Sequence, residues 1–116
     1  MNYLDLIKIF RNDLNQSHSQ FISIKFFRRN LPSYWLWISI LERYYNNNNN
    51  NIEKIIREIP SEYASRPTIF KIIDDAVTKK YFEKIADKND KRKYNLFPTS
   101  QTIKEFEEWA KVFKGF

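Results

Sequence analysis

The chemistry-bearing side chains of this 116-residue sequence gather in two clusters of hydrogen-bond donors. Ser65, Arg66, Thr68 and Lys71 form the first. Lys88, Lys91, Arg92 and Lys93 form the second, with Asp90 among them. Donors and cations at this density can hydrogen-bond phosphate oxygens and the acceptor edges of purines. A Lys/Arg run can equally be a solvated, soluble edge. Other chemistry has little to work with. There is no Cys, so no disulfide, thiolate metal site or Cys nucleophile is available. His18 is the sole histidine, which excludes a His-rich metal site and reads as a surface or interface side chain. Gly115 is the sole glycine, so the sequence holds neither a glycine-rich phosphate loop nor a dinucleotide fingerprint. Asp74-Asp75 and Glu107-Glu108 are sequence neighbours that diverge on a helix, so neither is an acid/base dyad. The expectation is a non-enzyme with no cofactor.

The first cluster opens the cleanest amphipathic pattern in the chain. Ser65 is a good helix cap and Pro67 sits early in the helix, where its missing N–H costs least. Ile69, Ile72, Ile73, Ala76 and Val77 then follow at i, i+3, i+4, i+7 and i+8. The opposite face carries Arg66, Thr68, Lys71, Asp75 and Thr78. Free N–H groups and the positive dipole end at this helix start suit phosphate. Arg66 could pair with guanine, while Ser65 and Thr68 suit phosphate. Asp74 and Asp75 would repel DNA, which places their end of the helix away from the backbone. The second cluster falls on a hairpin. Tyr81 to Ala86 is aromatic and partly alternating, and Asp87 to Lys91 is a polar turn. Tyr94 and Leu96 alternate with polar neighbours in Arg92 to Leu96, and Pro98 breaks the second strand.

Other helices frame these two. Tyr3, Ile7, Phe10 and Leu14 share one face of a helix over residues 3 to 14. Asn15 to Ser19 reads either as a loop or as the poorly helical middle of one longer helix reaching Phe21 and Ile24. Asn30 caps and Pro32 opens a strongly apolar helix from Tyr34 to Tyr45, expected to be central and buried. The six-residue run Asn46 to Asn51 reads as a turn that caps a helix from Ile52 to Ile59, ended by Pro60. Thr99 or Ser100 caps a last helix lined by Ile103, Phe106, Ala110 and Phe113, with Trp109 beside them. A helix pair joined by a polar turn is a helix-turn-helix, and a hairpin directly after its second helix makes it winged.

Composition agrees with a small folded domain: 42% apolar residues and 17% aromatics can fill a core. The longest apolar-aromatic stretch, Tyr34 to Ile38, is far short of the ~20 residues of a membrane span. The start of the chain does not read as a signal peptide, so a soluble cytoplasmic protein is expected. Net charge is +6, compatible with a polyanionic partner. Residues 52 to 97 hold eleven basic and eight acidic side chains, so any nucleic-acid binding would rest on a few contacts. The apolar stripes at the two ends exceed what a small core covers, and read as a homodimer seam or as the two ends packed on each other.

From about Pro32 to Trp109 the chain resembles the MarR family of winged-helix transcription factors. The resemblance is carried by Thr68 to Val77, Tyr81 to Lys84 and Asn89 to Thr99. In that family a recognition helix leads into a strand, a wing with an Asp-x-Arg signature follows, and the second strand ends near a Leu-Thr pair. Asp90 and Arg92 match the signature; Leu96 and Thr99 approximate the pair, with Phe97-Pro98 between them. Thr78-Lys79-Lys80 stands where the family usually has a Gly, and Ser100-Gln101 where another often follows the pair.

The resemblance implies a mostly α fold: a winged helix-turn-helix with a two-stranded β wing and extra N- and C-terminal dimerisation helices. Residues 1–30 would be a helical dimerisation arm, 31–98 the DNA-binding domain and 99–116 a C-terminal dimerisation helix. It implies a homodimer that binds double-stranded DNA sequence-specifically, with the recognition helix in the major groove and the wing in the minor groove. Ser65, Arg66, Thr68, Lys71, Lys88, Asp90, Lys91 and Arg92 would serve DNA binding, Asp90 by holding the wing turn and orienting Arg92. It further implies a small aromatic or anionic effector between the two regions. Trp35 and Trp37 are expected in the core, with an aromatic effector crevice as the alternative. The competing function is a winged-helix protein-interaction module without DNA binding.

Overall fold

A computed structural model describes residues 2–47 and 50–113, the side chains of 17–19 excepted, so the expectation for His18 lies outside the described residues. The chain runs α1 (Tyr3–Gln20), α2 (Ile22–Phe27), α3 (Leu31–Asn46), α4 (Ile52–Glu58), α5 (Arg66–Thr78), β1 (Phe82–Ala86), β2 (Tyr94–Pro98) and α6 (Ser100–Ala110). A 3-10 turn, Lys111–Phe113, follows. This is the mostly α winged helix-turn-helix expected from the sequence.

Side-chain caps set most helix starts. Asn30 accepts the Ser33 N–H at 2.9 Å and Asn51 accepts the Lys54 N–H at 3.1 Å. Ser65 and Thr99 do the same for Thr68 and Thr102 at 3.4 Å. Asn47 leaves α3 in the left-handed region at φ 53°, a conformation Asn tolerates.

The Asn15 to Ser19 alternatives resolve in favour of helix, because α1 continues through them to Gln20. The break falls instead at Phe21, whose backbone is extended. Helix α2 restarts there because Glu105 of α6 caps it, accepting the Ser23 N–H at 2.9 Å and the Ser23 hydroxyl at 2.8 Å.

Helix α3 is central, as its apolar content implied. Leu36, Trp37, Ile40 and Leu41 are buried against Ile24 and Phe27 of α2, Ile55 of α4 and Ile73 of α5. The Phe27 ring lies 4.8 Å from Phe82 of β1, which roots the wing in this core. Trp37 is core, and Trp35 packs half-buried against it.

The hairpin is antiparallel, from Phe82 opposite Pro98 to Ala86 opposite Tyr94. Pro98 thus ends β2 from inside the pairing, where the sequence reading had it break the strand. Arg92 and Lys93 belong to the turn. The Leu96 N–H donates to the Asn50 carbonyl at 3.0 Å, and Asn51 forms a bridge with Asn95. The end of the Asn run is therefore a third, minimal strand at the wing root.

Candidate nucleic-acid interface

Two segments carry the candidate donors, and each is positioned by local hydrogen bonding. On α5, Ser65 and Thr68 share a hydroxyl hydrogen bond of 2.9 Å, so both side chains are fixed at the first helical turn. Arg66 reaches back to α4, where one of its nitrogens, Nη2, lies 2.7 and 2.6 Å from the two carboxylate oxygens of Glu53. Its guanidinium also lies 5.0 Å over the Phe70 ring, one turn along. Lys71 lies 3.7 Å from Asp75 in an i,i+4 pair, and Asp75 stands 3.9 Å from Arg29. Thr68, Lys71, Asp75 and Arg29 border an open cleft of about 610 Å³ between α5, the start of α3 and the α4–α5 turn. Ser65, Arg66, Thr68 and Lys71 are all exposed.

The wing turn is closed by the Asp87 N–H donating to the Lys93 carbonyl at 2.9 Å. Inside it, Asp87 accepts the N–H groups of Asn89 and Asp90 at 3.0 and 3.1 Å, and the Asn95 side-chain amide at 3.1 Å. Asp90 accepts the Arg92 N–H at 3.1 Å and its Nε at 3.2 Å. Both carboxylates are held below their ordinary pKa. For Asp87 the leading cause is the Asn95 hydrogen bond, and for Asp90 it is Arg92. The Arg92 side chain nevertheless remains 91% exposed, and Lys88 and Lys91 are exposed beside it. Neither lysine has an ion-pair partner among the described residues. The two clusters stay separate: no described hydrogen bond or ion pair joins α5 to the wing turn.

Several contributors escaped sequence reasoning. Glu53 lies thirteen positions before Arg66, and nothing in its local pattern marks it. Asp87 belongs to the polar turn, where an Asp that captures later N–H groups is a recurring device. Thr99 is marked in the sequence as a helix cap and as half of the strand-end pair. Its hydroxyl also donates to the Lys80 carbonyl at 2.8 Å, pinning the entry of the wing.

A further feature lies between α3 and α6, where Tyr34, Trp37, Tyr45, Phe106 and Trp109 line an apolar crevice of about 290 Å³. Trp37 Nε1 is buried and has no hydrogen-bond partner among the described residues. Tyr45 donates its hydroxyl to Glu107 at 2.8 Å. Partial burial and then that hydrogen bond push the Tyr45 pKa up to about 12, so the phenol keeps its proton at neutral pH. Beside this crevice, Asp13 of α1 accepts from Trp109 and from Arg28, the latter at 2.9 Å. Phe10 meets Phe113 at 5.9 Å. The chain ends therefore do pack on each other, yet Tyr3, Leu4, Ile7, Phe10 and Leu14 stay at least half exposed. Among the described residues no helix is long and apolar enough to cross a membrane, and no group of three His, Asp or Glu could hold a metal ion.

No family model matches the sequence, and no curated protein aligns with it. Solved structures do match the fold. S. aureus MepR bound to ethidium bromide has a TM-score of 0.61 at 16% identity, covering 99% of this chain and 77% of that one. A mutant of MepR bound to an oligodeoxyribonucleotide gives 0.58 at 16% identity, covering 99% and 78%. A Bacillus cereus protein described as a MarR-like transcription regulator gives 0.55 at 10% identity, covering 97% and 74%. The chain has the fold of MarR-like winged-helix proteins.

Proposed function

We propose that this chain is a non-enzymatic MarR-like transcription regulator that binds double-stranded DNA sequence-specifically as a homodimer in the cytoplasm. Helix α5 enters the major groove with Ser65, Arg66, Thr68 and Lys71, and the wing reaches the minor groove with Lys88, Lys91 and Arg92. Residues 1–30 and 99–116 form the dimerisation region and 31–98 the DNA-binding domain. The observation that carries this reading is the wing tip. Asp87 and Asp90 accept the turn's own N–H groups. Although Asp90 also holds Arg92 Nε at 3.2 Å, the Arg92 side chain stays 91% exposed, with Lys88 and Lys91 exposed nearby and without ion-pair partners among the described residues. A narrow minor groove concentrates negative potential and draws in such an arginine. The fold match to an oligonucleotide-bound MepR supports the same reading. The exposed apolar stripe of α1 is the seam for a second copy. The aromatic crevice suits a small aromatic effector.

Fluorescence anisotropy on a random-sequence DNA duplex tests this. Affinity should fall steeply with salt, and Arg92→Ala should lower the log–log slope by about 0.9 per protomer. A second reading, a protein-docking module without DNA binding, is favoured by the carboxylates already paired with Arg66 and Lys71. Absence of duplex binding at low salt would support it.

A further inference from the structure

Within the candidate interface, the Arg66 ion pair crosses from α5 to α4, and its geometry is specific. A guanidinium presents two edges that can fork onto paired acceptors, Nη1/Nη2 and Nε/Nη2. Nη2 belongs to both. In this structure Nη2 is the nitrogen that Glu53 holds, with its two oxygens at 2.7 and 2.6 Å. The Phe70 ring, 5.0 Å away, backs one face of the guanidinium and limits how it can turn aside. Neither edge can meet guanine O6 and N7 while that carboxylate stays. The pair is not locked away: the two side chains are 54% and 51% exposed, so exchange with another acceptor is open.

Building on the DNA-binding reading above, we propose that Glu53 is an internal competitor for Arg66. Duplex DNA displaces it, and a site offering two adjacent acceptors does so better than a single phosphate oxygen. Glu53 thereby lowers indiscriminate binding more than binding at a site with a well-placed guanine, which is specificity by a repulsive element. It is a positioning and specificity residue that need not touch DNA itself.

The test compares wild type, Glu53→Gln and Glu62→Gln on a random-sequence duplex at low salt. Glu62 is exposed in the α4–α5 turn, so its variant removes the same charge without touching Arg66. Glu53→Gln should bind tighter than Glu62→Gln by roughly two- to fivefold per protomer, the range one exposed ion pair supports. Its salt dependence on this duplex should be the steeper of the two, because Arg66 engages DNA in a larger share of the complexes. In an Arg66→Ala background the gain should vanish. Glu53→Gln binding no tighter than Glu62→Gln, with wild type binding normally, would overturn the competitor role alone. Failure of both wild type and Glu53→Gln to bind at low salt would overturn the DNA reading of the face, and the competitor with it.

Discussion

Arg92 is both anchored and free. Its own N–H and its Nε are held by Asp90, yet its side chain is almost wholly exposed. The anchor is electrostatic, so it responds to pH. Asp87 and Asp90 titrate below their ordinary value of 3.8 in the folded chain because hydrogen bonds favour the charged form. A lowered folded-state pKa contributes stability above the unfolded value, lost as pH falls through the folded one. The wing turn should therefore hold through mildly acidic pH and loosen only below the normal carboxylate range. An NMR titration should give the Asn89, Asp90 and Arg92 amides midpoints under 3.8, and midpoints above it would contradict the capping network. The same residues show what was readable in the sequence. Asp90 and Arg92 lie two apart in a polar turn, so their contact is local. Arg66 and Glu53 meet only because α4 and α5 fold together, and no spacing rule marks such a pair.

At the scale of elements, the α5–β1 turn carries a cost. Lys80 sits at φ 64°, in the left-handed region, with its N–H on the Val77 carbonyl and the Tyr81 N–H on the Ala76 carbonyl. This is the Schellman arrangement, in which glycine normally fills the left-handed position. A side chain there costs about 1 kcal/mol. Lys80→Gly should raise the unfolding free energy by about that amount in urea denaturation, and a loss of stability would contradict the assignment. The order of helices and the hairpin were legible because apolar periodicity and caps are local signals. The break at Phe21 was not, because it carries no glycine or proline. The cap that restarts α2 comes from Glu105, 82 positions away. The extent of β2 was misread for a related reason. Pro98 ended the alternation in the sequence, but its place opposite Phe82 at the end of the pairing needs no N–H donor.

Across the whole molecule, the long α1 arm and its bare apolar stripe dominate. The chain measures 49 × 28 × 23 Å, too elongated for one core to cover its ends. Asp13, Arg28 and Trp109 fix α1 to the body, while Ile7 and Phe10 still face outward. Ile7→Glu should dissociate the proposed homodimer without loss of far-UV helicity, measured by sedimentation and circular dichroism together. An unchanged dimer would move the seam elsewhere. The proposed effector crevice belongs to this scale as well. Leucine in place of Phe106 would open one wall of the crevice, and should weaken quenching of tryptophan fluorescence by a planar aromatic ligand.

In the proposed complex two copies of the chain present their α5 helices to one face of a DNA duplex. Because the chain has no cysteine, Asp74→Cys creates a single labelling site on the exposed side of α5. Pulsed dipolar spectroscopy on the spin-labelled, DNA-bound protein should give one separation near ~34 Å, the spacing of successive major-groove faces. No dipolar coupling, or a separation far from one helical turn, would contradict it.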